Sequence, residues 1–179
     1  CETILSKYKS ENFTPVIIRP ATVCGYAPRQ RFDVIVNILT NLAYNKREIS
    51  VFGGKQLRPN IHIKDMVKAY EVLIEAPKEK VKGQIFNVGR ENKTVLEIAE
   101  IVKKVVGEDV ILKMTPSNDN RSYHISSKKI TEDLGFKFNF TISNAVEDLI
   151  GAFKNKLFTN SLSNEKYFNI KTMNKIQLV

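Results

Sequence analysis

Short β-branched runs alternate with amphipathic helix patterns along most of this chain, and that alternation confines it to α/β architectures. Residues 16–19 (V-I-I-R) read as a buried parallel strand. Residues 33–44 place Val34, Ile35, Ile38, Leu39 and Leu42 at spacings of three and four, which predicts an amphipathic helix that Asp33 can cap. Residues 49–52 read as a strand closed by a Gly53-Gly54 turn. A second short strand follows at 61–63, then a helix over 66–75 with Asp65 as its cap and Pro77 as its stop.

Residues 84–88 are a strand ending at Gly89. Thr94 and Glu97 have the spacing of a capping box, opening a helix with an apolar stripe of Leu96, Ile98, Ile101, Val102, Val105 and Val106. Gly107 ends that helix, and 110–113 is another strand. Residues 115–122 are loop by composition. A helix over 127–134 has Gly135 as its C-cap, and a last helix runs from about 143 to 157 with Thr141 or Ser143 at its start. The polar tail beyond it regains apolar residues at Tyr167, Phe168, Ile170 and Met173, so it is expected to dock.

A length of 179 residues suits one well-packed domain, or two interlocked parts of a larger one. No apolar run approaches the roughly 18 residues of a membrane span, which predicts no membrane association. Cys1 and Cys24 do not form a disulfide framework, so a reducing, cytoplasmic setting is expected. His62 and His124 stand apart without Cys or acidic clusters at ligand spacing, which predicts no metal site.

The net charge is +9, and residues 151–179 carry much of it, with five Lys against one Glu. That balance suits an anionic ligand such as a nucleotide diphosphate, and equally nucleic acid or plain solvated lysines. The tail interleaves only Tyr167 and Phe168 with its lysines. That is too few aromatics for a single-strand platform, so no nucleic-acid partner is expected.

Several stretches, taken together and in order, resemble one enzyme family. R-P-A-T-V-C-G at 19–25 is similar to the R-P-x-N-V-Y-G element of the extended short-chain dehydrogenase/reductases, the NAD-dependent nucleotide-sugar epimerases and dehydratases. V-F-G-G at 51–54 and R-P-N-I-H-I-K-D at 58–65 resemble the family's V-F-G-x and R-D-F-V-H-V-x-D stretch. Q-I-F-N-V-G at 84–89 and residues 119–135 complete the series, which covers about residues 1–158.

The resemblance implies the C-terminal part of a Rossmann-type parallel sheet plus the smaller α/β substrate-binding lobe. Residues 1–28 are the last part of the Rossmann domain. Residues 29–158 are mainly substrate lobe with returning Rossmann elements, and 159–179 are a C-terminal tail. The ligands implied are a nucleotide-diphosphate sugar and NAD, with NADP as the alternative, bound mainly by a preceding half. The parent is expected to be a homodimer. A sequence that lacks an initiator Met and opens in a helical pattern at residues 1–8 predicts a C-terminal piece of a longer protein.

By the same resemblance, Pro20, Ala21, Thr22 and Val23 lie beside the nicotinamide, where backbone groups hold the carboxamide. Thr22 also reaches the sugar, with a shorter side chain than the Asn the family often has. Arg58 corresponds to the arginine that holds the diphosphate, where a planar fork meets two oxygens at once. Val51 and Phe52 line the base pocket or simply pack, Asp119 meets the ribose or forms a turn, and Arg121 offers a second phosphate contact. Arg29 and Arg31, in the loop entering the lobe, read equally as ligand-facing or solvated. His62, Asp65 and Asn87 read as strand packing, helix cap and turn.

No catalytic residue is expected in the chain. Its glycines nowhere form the G-x-x-G-x-x-G turn that seats a pyrophosphate on a helix N-terminus. The family's Tyr-x-x-x-Lys pair, in which the lysine lowers the tyrosine pKa for proton transfer, is expected upstream. Tyr167 and Lys171 match that spacing but lie in the tail, beyond any strand. The activity implied is epimerisation or dehydration by the parent, with residues 1–179 alone inactive. The rival reading is a non-catalytic NAD(P)-binding relative acting as sensor or scaffold.

Overall fold

The computed structural model describes residues 1–119 and 121–177. A short helix α1 (Glu2–Lys7) leads to strand β1 (Ile17–Pro20) and, after one residue, to β2 (Thr22–Cys24). Helix α2 (Ile35–Lys46) and strands β3 (Glu48–Phe52) and β4 (Leu57–His62) follow, then helices α3 (Ile63–Glu75) and α4 (Lys78–Val81). Strands β5 (Ile85–Val88) and β6 (Glu91–Thr94), helix α5 (Val95–Val106) and strand β7 (Ile111–Thr115) come next. Helices α6 (Lys128–Leu134) and α7 (Ile142–Lys154), a 3₁₀ turn over Glu165–Tyr167 and helix α8 (Asn169–Lys175) complete the order.

The strands form three small sheets. β1 pairs parallel with β5, β3 pairs parallel with β7, and β4 lies between parallel β2 and antiparallel β6. Parallel pairs need long crossovers, which the helices supply. The architecture is therefore the mixed α/β class that the alternating pattern predicts. Among the described residues no helix is long and apolar enough to cross a membrane.

Two of the core clusters sit against these sheets. Val36, Leu39 and Ala43 of α2 pack with Ile49 and Val51 of β3, Ile98 and Val102 of α5, and Ala145 and Val146 of α7. In a second cluster Phe86 and Val88 of β5 pack with Met66, Ala69 and Leu73 of α3 and Ile130 of α6. The stripe foreseen for α5 is partly buried rather than uniformly so: Ile98 and Val102 are sealed, while Ile101, Val105 and Val106 lie at the margin.

The capping box opens α5 as the spacing requires. Thr94 Oγ1 accepts the Glu97 N–H at 3.1 Å and Glu97 Oε2 accepts the Thr94 N–H at 2.7 Å. Those bonds to Thr94, with Lys93 beside it, hold the Glu97 carboxyl below its ordinary range. Thr94→Ala should therefore cost about 1 kcal/mol in urea unfolding at neutral pH. The difference between variant and wild type should shrink as pH falls through the lowered folded value, because the Thr94 hydroxyl is one of the groups that stabilise the Glu97 carboxylate and that contribution ends when Glu97 is protonated.

Three local expectations need correction. Asp33 does not cap α2: Val34 is the N-cap, and the Asp33 carboxylate accepts the Arg31 Nε–H and the Asn169 N–H instead. Asp65 does not cap α3, which starts earlier. His62 is the cap, its Nδ1 accepting the Lys64 N–H at 3.1 Å. Asp65 sits buried in the first turn and takes the backbone N–H groups of Asn139 and Phe140 at 3.0–3.2 Å, fastening the approach to α7. Asn87 lies in β5 opposite Arg19 rather than in a turn.

The tail does dock. Tyr167 and Ser161 are buried, Phe32 donates its N–H to the Tyr167 carbonyl at 2.8 Å, and Ser161 bonds Asn41 of α2 through its hydroxyl at 2.7 Å.

Candidate functional site

A cleft of about 530 Å³ opens where β1 and β2 end, and residues 20–25 form one wall of it. Ile63, Met66 and Tyr70 of α3, with Val34, give it apolar surface, while Arg29 and Arg31 bring two cations to its rim. The cleft thus gathers Pro20, Ala21, Thr22 and Val23 with Arg29 and Arg31. Crevices at the carboxyl ends of parallel strands are the usual binding position in α/β proteins.

Two buried amides that sequence reasoning missed shape this wall. The Gln30 side chain donates to the Gly25 and Arg31 carbonyls at 3.3 and 3.1 Å and accepts the Ala27 N–H at 3.1 Å. Asn37 of α2 accepts the Gly25 N–H at 3.0 Å and donates to the Arg31 carbonyl at 2.9 Å. The available signal was polarity in the wrong place: Asn37, Thr40 and Asn41 are buried on an otherwise apolar helix face. Gly25 has φ +104°, and a side chain there would press on the His62 ring at 3.3 Å, so the turn into the loop demands glycine.

Cys24 lies behind the cleft with its thiol buried, donating weakly to the Ile61 carbonyl at 3.4 Å. Burial, with the negative charge of Glu91 adding, pushes that thiol up to about 12. Cys1 is exposed. Iodoacetamide at pH 8 should therefore add one label to the folded chain, on Cys1, and two after denaturation, as read by mass spectrometry.

The second cluster lies on β4 and the loop after β7. Arg58 reaches Asp119 Oδ2 with Nη2 at 3.1 Å, and its Nη1 donates to the Leu57 carbonyl at 2.9 Å and to the Arg121 carbonyl. Arg121 closes on the same carboxylate through Nε and Nη2 at 2.7 and 2.8 Å. The hydrogen bonds from Arg121, with Arg58 adding its charge, hold the Asp119 carboxyl far below the usual carboxylate range. Two guanidiniums therefore share one carboxylate, and the Arg58 side chain is only 15% exposed. Paired guanidinium forks of this kind can meet an anion with several oxygens, and here the anion they meet is Asp119.

Arg58, Asp119 and Arg121 thus meet, although 61 residues separate the first two. Strand pairing ties this cluster to the cleft, because Thr22 lies opposite Asn60, two residues on from Arg58. Val51 and Phe52 part company. Val51 is sealed in the core, whereas Phe52 is exposed at the end of β3. The Tyr167 ring packs against Phe32 and Phe158, its hydroxyl accepts the Thr159 N–H at 3.2 Å, and Lys171 lies over the Phe168 ring. That spacing match is a docking element. Among the described residues no group of three His, Cys, Asp or Glu side chains is placed to hold a metal ion.

Among the described residues β2 is an edge strand, paired only with β4. Alternate backbone groups of Thr22 and Val23 lack ladder partners, and an amide ligand lying along that edge could use them. The lining therefore fits the carboxamide end of a nicotinamide cofactor.

Fold and site together define an α/β protein with a strand-end cleft and an arginine-rich anion cluster. Residues 1–89 match the model of the NAD dependent epimerase/dehydratase family, and the chain is similar to members of that family. It is 36% identical over 81 residues to UDP-D-apiose/UDP-D-xylose synthase of Oryza sativa subsp. japonica, a match covering 44% of this chain and 19% of that protein.

Among solved structures, it resembles the UDP-glucose 4-epimerase of Thermotoga maritima, crystallised with UDP-glucose. The TM-score is 0.74 and the identity 23%, covering 88% of this chain and 52% of that one. The UDP-glucuronic acid 4-epimerase of Bacillus cereus, in complex with UDP-glucuronic acid and NAD, gives a TM-score of 0.73 at 23% identity, covering 88% and 50%. At that identity the likeness is one of fold. The matches span about half the length of these solved chains and about a fifth of the curated relative.

Proposed function

We propose that this chain is the nucleotide-diphosphate-sugar-binding portion of an NAD-dependent epimerase or dehydratase. The observation that carries the reading is the convergence of Arg58 and Arg121 on the Asp119 carboxylate. In this account a ligand diphosphate takes the place of that carboxylate between the two guanidiniums, and Asp119 is then free to accept a ribose hydroxyl. The base lies toward the exposed ring of Phe52, while Val51, sealed in the core, supports β3 from the other face. The sugar extends to the cleft lined by Pro20, Ala21, Thr22 and Val23.

The cofactor is NAD, with NADP as the alternative, and it supplies the hydride acceptor when bound. This chain's part is to hold the carboxamide through the free edge of β2 and keep water from the apolar cleft. Proton transfer to and from the sugar is assigned in this reading to residues other than Tyr167, which is packed and hydrogen-bonded within the tail. The whole protein is a cytoplasmic homodimer in this reading. The relatives with UDP-sugars in their names or bound in their structures support it.

Calorimetric titration of the chain with UDP, dTDP, UMP and a single-stranded oligonucleotide tests the reading. UDP or dTDP should bind at least about tenfold more tightly than UMP, because the second phosphate adds charge-assisted hydrogen bonds. Equal affinity for UMP and UDP, or tighter binding of the oligonucleotide, would contradict it.

A further inference from the structure

The loop that carries Arg29 and Arg31 to the cleft is gripped from two sides. From within, Gln30 and Asn37 fix its backbone as described. From outside, the tail reaches it across more than a hundred residues of sequence. Asn169, the first residue of α8, donates its backbone N–H to Asp33 Oδ2 at 2.8 Å, and its side-chain oxygen accepts Arg29 Nη2 at 3.2 Å. The other oxygen of Asp33 takes the Arg31 Nε–H at 2.8 Å. The relay thus runs from tail to carboxylate to guanidinium. Among the described residues the two Nη atoms of Arg31 make no hydrogen bond, and the side chain is 41% exposed at the cleft rim.

Burial alone would raise the Asp33 carboxyl, but the bonds from Arg31 and Asn169 outweigh it and hold it below its ordinary range. The relay is therefore charged at neutral pH. Arg58 and Arg121 do not line this cleft, so its arginines meet a different part of any ligand that spans both places.

We propose that Asn169 is a positioning residue for the cleft, fixing Arg31 through Asp33, and Arg29 directly, so that both donate to oxygens of the sugar half of a nucleotide sugar. This rests on the function proposed above. It makes the tail part of the binding apparatus, where sequence alone offers only a docked appendage.

Asn169→Pro is the discriminating substitution. Proline is favoured at the first position of a helix, where its missing N–H costs no intrahelical bond. Phe168, at φ −125° and ψ 106°, already has the extended geometry required before proline. The change therefore deletes both contacts of Asn169 and leaves α8 able to form.

In the ligand-free chain of 179 residues, NMR exchange of the Arg31 Nε–H should accelerate at least about fivefold with the melting temperature held. Affinity for UDP-glucose should fall about 2- to 12-fold while affinity for UDP stays unchanged. Unaltered Arg31 exchange would overturn the positioning role, and equal losses for UDP and UDP-glucose would overturn the assignment to the sugar half. Failure of the wild-type chain to bind UDP would instead overturn the proposed function and the sugar-half assignment with it. The exchange measurement would then still decide the positioning role. Should Asn169→Pro unfold the chain, Asp33→Ala breaks the same relay at its midpoint and is read in the same way.

Discussion

Replacing Arg58 with alanine should lower the chain's affinity for UDP by about 30- to 150-fold, the equivalent of about 2–3 kcal/mol of lost charge-assisted hydrogen bonding. The fold should be little affected. Arg58 contributes only hydrogen bonds at the edge of the site, and Asp119 retains its bidentate partner Arg121 when Arg58 is gone. Arg58→Lys should recover little, because an ammonium cannot present two parallel N–H groups to two phosphate oxygens. Calorimetry with UDP, alongside a thermal melt of each variant, separates lost binding from lost structure. A variant that keeps wild-type affinity would place the anion elsewhere.

Phe32→Ala should be the most damaging single change to stability, costing about 3–5 kcal/mol and lowering the melting temperature by roughly 6–20 °C. Phe32 is fully buried, and its ring lies 5.0–5.8 Å from those of Phe158, Tyr167 and Phe153. Its backbone N–H is also the bond that the Tyr167 carbonyl takes from the loop. Truncation leaves a cavity among three rings and frees the tail and the 25–33 loop together. Limited proteolysis should therefore cut the tail of this variant faster than that of the wild type. Chemical unfolding that finds a loss below about 1 kcal/mol would mean the aromatic cluster can collapse around the gap.

Much of this architecture could be read from the sequence, because its strands are β-branched and its long helices carry clear stripes. The runs at 16–19, 49–52 and 84–88 are strands within a residue or two, and the Thr94 box and Gly135 cap stand where their spacing puts them. What was illegible has physical reasons. β6 is Glu-Asn-Lys-Thr, held by its ladder with β4 rather than by any apolar face, so it carries no alternation. The first half of β4 contains Pro59, which argues against a strand paired on both edges, so only 61–63 read as one. Asp65 has the spacing of a cap, but the helix starts a turn earlier because the His62 imidazole accepts the N–H first.

The site was legible in parts and not in its assembly. Family resemblance pointed to Arg58, Asp119 and Arg121 one at a time, and only the fold brings them onto one carboxylate. Gln30 and Asn37 gave no motif. Their role comes from being buried beside a turn whose backbone groups need partners. Tyr167 and Lys171 show the opposite case, a spacing that matches a catalytic pair and serves packing.

The claim that a nucleotide sugar spans both the arginine cluster and the strand-end cleft is tested most directly by titrating isotopically labelled chain with UDP-glucose and following it by NMR. Two groups of resonances should move together along one binding curve: the guanidinium signals of Arg58 and Arg121, and the backbone amides around residues 20–31. UDP alone should move the first group and leave the second nearly still. Shifts confined to the lysines of the tail, or a chain that gives no saturable response, would contradict the account.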